Sequence, residues 1–150
     1  MAEFHCEILT PHRRLYAGNA EAVIFVTHDG ELEILDQHEP CVMPVRIGLL
    51  RLRADGRTRK AAVTEGFARV KKGRLDIFVD AAEWDEEIDV PRARSALERA
   101  SARLSSETLR WRLDASAQAA ARARNRLAIA ASVVRAETPA QSVAEASPQP

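Results

Sequence analysis

The densest concentration of chemistry-bearing side chains in this 150-residue sequence is arginine. All ten basic residues of positions 87–150 are Arg, and between Arg110 and Arg135 six arginines stand against the single acid Asp114. Such a cluster could grip the phosphates of a nucleic acid, with binding that weakens steeply as salt rises. Zero net charge and few aromatics for base stacking count against that rival, a small Arg-rich nucleic-acid-binding module. Catalytic chemistry has less to stand on. The histidines His5, His12, His28 and His38 include no pair at the i, i+4 spacing of a helical metal site, and no GxSxG, P-loop or Cys/His nucleophile arrangement occurs. Cys6 and Cys41 lack CxxC or Cys/His spacing and read as small buried hydrophobes in a reduced chain. The stretch "EIDVPRARSALERA", residues 87–100, opens a helix. Asp89 suits its N-cap, Pro91 its first turn, and the acids Glu86 and Glu87 the positive end of its dipole. On residue types alone its arginines solvate the helix or pair with acids.

The elements that must position these residues divide the chain. From Phe4 to about Asp80, the runs "FHCEIL", "EAVIFV", "ELEIL", "GLLRLR", "KAAVTE", "FARVKK" and "RLDIFV" predict strands, with tight turns at "HDG", "ADG" and "KKG". Many short strands without an intervening helix predict a β-sandwich or barrel rather than a βαβ nucleotide fold. Gly30 and Gly66 stand beside strands and are expected in turns or bulges with unusual backbone angles. Ala93, Leu97, Ala100 and Leu104 form one narrow apolar stripe on a first helix. The polar "SSETLRWRLD" interrupts it, and a second helix is predicted from about Ser116 to Val134. The expected organisation is a mostly β N-terminal domain over 1–86, an antiparallel helical hairpin over 87–135 and a disordered tail over 136–150. No apolar run is long enough for a membrane span, and "MAEFHCEILT" does not read as a signal peptide.

The stretches "FHCEILTPHRRLYAG", "EAVIF", "DGELEILDQHEP", "GLLRLR", "AVTEGFARV", "RLDIFVD" and "IDVPRA" occur in the order and spacing of a known family. Over about residues 3–135 the chain resembles the epsilon subunit family of F-type ATP synthases. The resemblance implies a non-catalytic rotor component: a β-sandwich that binds the gamma subunit and the c-subunit ring, followed by a two-helix hairpin. That hairpin would either fold on the sandwich or extend toward the alpha/beta catalytic head and restrain ATP hydrolysis. Membrane association would pass through the complex, at the cytoplasmic face of a bacterial inner membrane. No cofactor is required, and ATP enters as a regulatory ligand. Ile88, Asp89, Arg92 and Ala93 match the family's Ile/Leu-Asp-x-x-Arg-Ala motif. Arg99 follows on the face of Arg92, Arg122 and Arg126 match its phosphate-side arginines, and Glu83 stands where binding members carry an acid. Glu31 and His38 fall in the segment implied to contact the rotor. Two positions depart from the pattern: Asp36-Gln37-His38 replaces a Pro-Gly-His turn, and Glu65 replaces a small residue before Gly66.

Overall fold

Alternation of apolar and polar residues, punctuated by turns, folds the first 84 residues into ten strands. The computed structural model describes residues 2–137, the last five through their backbone only. Most of the tail expected over 136–150 therefore lies outside the described residues. One five-stranded sheet has the order β2-β1-β9-β8-β5 and the other β10-β7-β6-β3-β4. The strands are β1 Phe4–Leu9, β2 Arg14–Ala20, β3 Ala22–Thr27, β4 Gly30–Leu35, β5 Cys41–Val45, β6 Gly48–Ala54, β7 Arg57–Val63, β8 Gly66–Lys71, β9 Arg74–Val79 and β10 Ala82–Trp84. All pairings are antiparallel except β1 with β9. The inward residues of both sheets, among them Ile8, Phe25, Leu50, Leu52, Leu75, Ile77 and Trp84, form one core between the layers.

Three strands escape the sequence reading, each for a local reason. β2, "RLYAGNA", has weak alternation, β5 carries Pro44, and β10 is three residues long. Pro44 is tolerated because β5 is an edge strand of its sheet. β10 carries the strand pattern beyond Asp80. Gly30 has φ +111, as its turn requires, whereas Gly66 does not take a left-handed angle. Gly66 is constrained by space: a Cβ there would lie 1.8 Å from the Phe78 carbonyl oxygen. At the Asp36-Gln37 turn, Gln37 adopts φ +67, the conformation that glycine takes most readily.

Cys6 lies wholly within the core, and burial, aided by the charges of Asp76 and Glu7, pushes its thiol up to about 12, which keeps it unreactive. Asp76 points out of the sandwich but is only 1 % exposed, because Arg69 and Arg74 fold over it with hydrogen bonds of 3.1 and 2.9 Å. Burial opposes its charge, yet the hydrogen bonds from Arg74 and Arg69 hold the carboxyl below its ordinary value.

A single 3-10 turn over Asp85–Glu87 leads into the helices α1 Val90–Ser106 and α2 Arg110–Glu137. The second helix begins six residues earlier than the sequence predicts. Only Glu107–Leu109 separate the helices, and the Glu107 carboxylate accepts the backbone N–H groups of Thr108 and Leu109 at 3.1 Å, satisfying donors at the turn. In α1 the expected stripe is present, with Ala93 and Ala100 buried and Leu97 and Leu104 half-buried. In α2, Ser116, Ala120, Ala123 and Ala130 are buried at the 3–4 residue spacing of a packed seam. Small residues on both helices let them approach closely, at the expense of buried apolar area.

Candidate functional site

The arginine-rich helix is held against the edge of the second sheet, and the side chains at this junction form an open cleft of about 340 Å³. Its lining brings together Arg13, Glu83, Arg92, Arg122, Asn125 and Arg126 above a floor that includes Ala62 and Val63. Each wall follows from local sequence. In β10, Ala82 and Trp84 point into the core, so the alternation turns Glu83 outward toward α2. On α2, Arg122, Asn125, Arg126 and Ile129 fall at i, i+3, i+4 and i+7, one stripe of the helix. Arg92 stands in the first turn of α1, whose N-cap is Asp89, with its carboxylate accepting the Arg92 backbone N–H at 3.0 Å.

The cleft is cationic, and three of its four arginines, Arg13, Arg122 and Arg126, already meet carboxylates. Arg122 donates from Nε and Nη2 to one Glu65 oxygen at 3.2 and 2.8 Å, and lies 3.7 Å from Asp80. Arg126 forks onto both oxygens of Glu83. Asn125 Nδ2 donates to the Gly48 carbonyl at 2.9 Å. Arg13 donates to Glu87 at 3.1 and 2.5 Å and to the Ala82 carbonyl at 3.0 Å. The hydrogen bond with Glu87 raises the Arg13 pKa, and the same bond, helped by the Trp84 backbone N–H, holds the Glu87 carboxyl below its ordinary value.

Of the residues singled out from sequence, Glu83, Arg92, Arg122 and Arg126 line the cleft. Asp89 is the cap of α1, Ala93 is buried, and Ile88 is half-buried between the 3-10 turn and the helix. Arg99 is exposed and does not line the cleft, being two helical turns, about 10 Å, beyond Arg92 along the axis. Sequence reasoning missed Arg13 and Asn125. Asn125 was within reach, since it shares a stripe with Arg122 and Arg126, whereas nothing near Arg13 in the sequence signals a partner 74 residues away. The rotor-contact residues lie elsewhere. Glu31, exposed on β4, pairs with Arg51 at 2.8 Å, and half-buried His38 follows in the turn after that strand. β4 and β10 are the two opposite edges of one sheet.

The family model for the ATP synthase delta/epsilon chain β-sandwich domain matches residues 3–85. The ATP synthase epsilon chain of Ruminiclostridium cellulolyticum is 44 % identical over 127 residues, covering 85 % of this chain and 95 % of that one. That of Caldicellulosiruptor bescii is 46 % identical over 104 residues, 69 % of this chain and 76 % of the relative. Among solved structures, a chain of the Euglena gracilis mitochondrial ATP synthase superposes with a TM-score of 0.73 at 24 % identity, covering 85 % of this chain and 81 % of its own, which shows the shared fold. A chain of the Tetrahymena thermophila mitochondrial ATP synthase central stalk and c ring gives a TM-score of 0.64 at 13 % identity, over 84 % of this chain and 95 % of that one. With the sandwich matched over its whole length and helix residues included in the 127-residue alignment, the chain belongs to the ATP synthase epsilon-chain family.

Proposed function

We propose that this non-catalytic ATP synthase subunit couples and regulates: its sandwich joins the gamma subunit to the c ring, and its hairpin restrains ATP hydrolysis when it leaves the sandwich for the alpha/beta head. The cleft between them is the regulatory site, with ATP as its ligand. One observation carries this reading. Arg13, Arg92, Arg122 and Arg126, drawn from the sandwich and both helices, converge on one open cleft that exists only while the hairpin is folded down. Guanidinium forks suit phosphate oxygens, and a ligand held by three separate elements favours the state in which they meet. ATP would therefore stabilise the folded hairpin and relieve restraint of hydrolysis. Ile88, Asp89 and Ala93 would shape the adenine side, Glu83 would face it as the acid, and Arg99 would join only after a shift of α1.

The placement of Glu31 and His38 supports a division of surfaces, since the sheet edge that carries them is the one opposite the hairpin edge. Among the described residues no helix is long and apolar enough to cross a membrane, so attachment at the cytoplasmic face would run through the c ring. Calorimetric titration of the full chain with ATP tests the site. The parent should bind, Arg126→Ala should bind at least about tenfold more weakly through loss of a charge-assisted fork, and Arg110→Ala, at the far end of α2, should match the parent. Absence of binding by the parent, or equal affinities for all three proteins, would refute it.

A further inference from the structure

We infer that the arginine cleft carries its own anions: Glu65 and Glu83 occupy the forks of Arg122 and Arg126 and latch the hairpin on the sandwich with no ligand bound. The inference deepens the regulatory reading above and rests on its claim that the hairpin is a movable element. Three anchors lie within five residues of α2, and each meets a different part of the sandwich: Glu65 between β7 and β8, the Gly48 carbonyl at the start of β6, and Glu83 on β10. The acceptors are held in place before α2 arrives. The Asp80 N–H donates to the Glu65 carbonyl at 3.1 Å, the Ala81 N–H donates to Thr64 Oγ1 at 2.9 Å, and Gly66 admits no side chain beside Phe78. Glu83 is fixed by its strand pairing with Ala62.

Magnitudes favour a polar latch. Ile129 is the single large apolar side chain among the buried residues described on α2, the others being Ser116, Ala120, Ala123 and Ala130, so apolar burial gives the docked state little advantage. The paired side chains are only a quarter to two-fifths exposed, at 24 % each for Arg126 and Glu83 and 38 % and 34 % for Arg122 and Glu65, less screened than a free surface pair. A polyphosphate entering this cleft exchanges one anion for another. Affinity for it is set by how readily the carboxylates leave.

Hydrogen exchange on the full chain, without ligand, tests the latch, with the sandwich strands as internal control. Glu65→Arg and Arg122→Glu should each speed opening of α2 about two- to fivefold without altering exchange of β1, β6 or β9. Combining the two reverses the pair, and α2 protection should return toward the parent. Single variants that leave α2 unchanged, or a double variant whose effects add, would overturn the latch while leaving the movable hairpin intact. Exchange of α2 only in step with the sandwich strands would overturn the movable hairpin, and the latch with it.

Discussion

Cutting the chain after Ile88 should leave a folded sandwich of slightly lower stability. The core cluster runs from Phe4 to Trp84 and includes no residue of either helix. The cut must follow Glu87, because β10 supplies Trp84 to that core and the Glu87 carboxylate accepts the Trp84 N–H at 3.0 Å while pairing with Arg13. The sandwich would lose cover over Ala62, a methyl group worth about 0.8 kcal/mol, and three polar links at roughly 0.5–1 kcal/mol each. The loss is therefore about 2–4 kcal/mol at most, and smaller once the entropy of ordering the hairpin is counted. For a domain of this size that lowers the midpoint by roughly 10–20 °C. The chain has two tryptophans, and the cut removes Trp111, so Trp84 fluorescence reports the sandwich alone. A blue-shifted emission that moves red in one cooperative melt is expected, as is faster ATP hydrolysis by complexes assembled with the truncated subunit. Red-shifted emission at room temperature, or the lack of a melt, would refute the independence of the sandwich core, and unchanged hydrolysis would refute the restraint assigned to the hairpin.

Gly66→Ala places a Cβ 1.8 Å from the Phe78 oxygen and must push β8 from β9 at their Gly66–Val79 end; denaturant titration should show a loss of about 2–4 kcal/mol. Ala120→Leu overfills a site that is 1 % exposed, and helix content should melt earlier by about 1–3 kcal/mol while Trp84 emission stays fixed. Asp76 sits below its ordinary value when folded, so its stabilisation is complete above the unfolded value near 4 and is lost as pH falls through the folded one. Asp76→Asn should thus cost about 1–3 kcal/mol at neutral pH in chemical denaturation, and the gap from the parent should close toward pH 2. Replacing Glu31 and His38 by Ala should weaken coupling of proton flow to ATP turnover in reconstituted vesicles and leave the melting of the isolated chain near that of the parent.

What the sequence made legible follows the strength of local patterning. "GLLRLR" and "RLDIFV" alternate strictly and appear as β6 and β9, and the glycines of "HDG", "ADG" and "KKG" all take positive φ. β10 is not legible because three residues carry too little period, though Trp84 at its end is the largest side chain of its sheet's edge and anchors it through Arg59 stacked 3.6 Å from the ring. The start of α2 is not legible because Trp111 stands within the polar break, whereas it is exposed and needs no buried partner to be helical. At the cleft, four of the residues singled out by motif spacing, Glu83, Arg92, Arg122 and Arg126, line one pocket, but that spacing carries no sign that Glu65 meets Arg122. That contact joins residues 57 positions apart and depends on how α2 lies over the β7–β8 turn.

The same geometry explains why α2 has such a weak apolar period. Ser116, Ala120, Ala123 and Ala130 form one buried stripe of small residues, while Arg122, Asn125 and Arg126 bond to the sandwich, two stripes about 120° apart around the helix. A helix that packs on two sides spreads its buried residues over most of its circumference, and no single moment emerges. The chemistry of the stripes differs as well. Pairing of the helices relies on small side chains and close approach, so it resists separation but buries little. Docking on the sandwich relies on guanidinium and amide groups that water, a carboxylate or a phosphate can satisfy equally well. The residues of the two stripes are different ones, so the polar links can break without removing a side chain of the small-residue stripe. If the hairpin moves as proposed, the two helices would therefore leave the sandwich as a unit and uncover the polar stripe of α2.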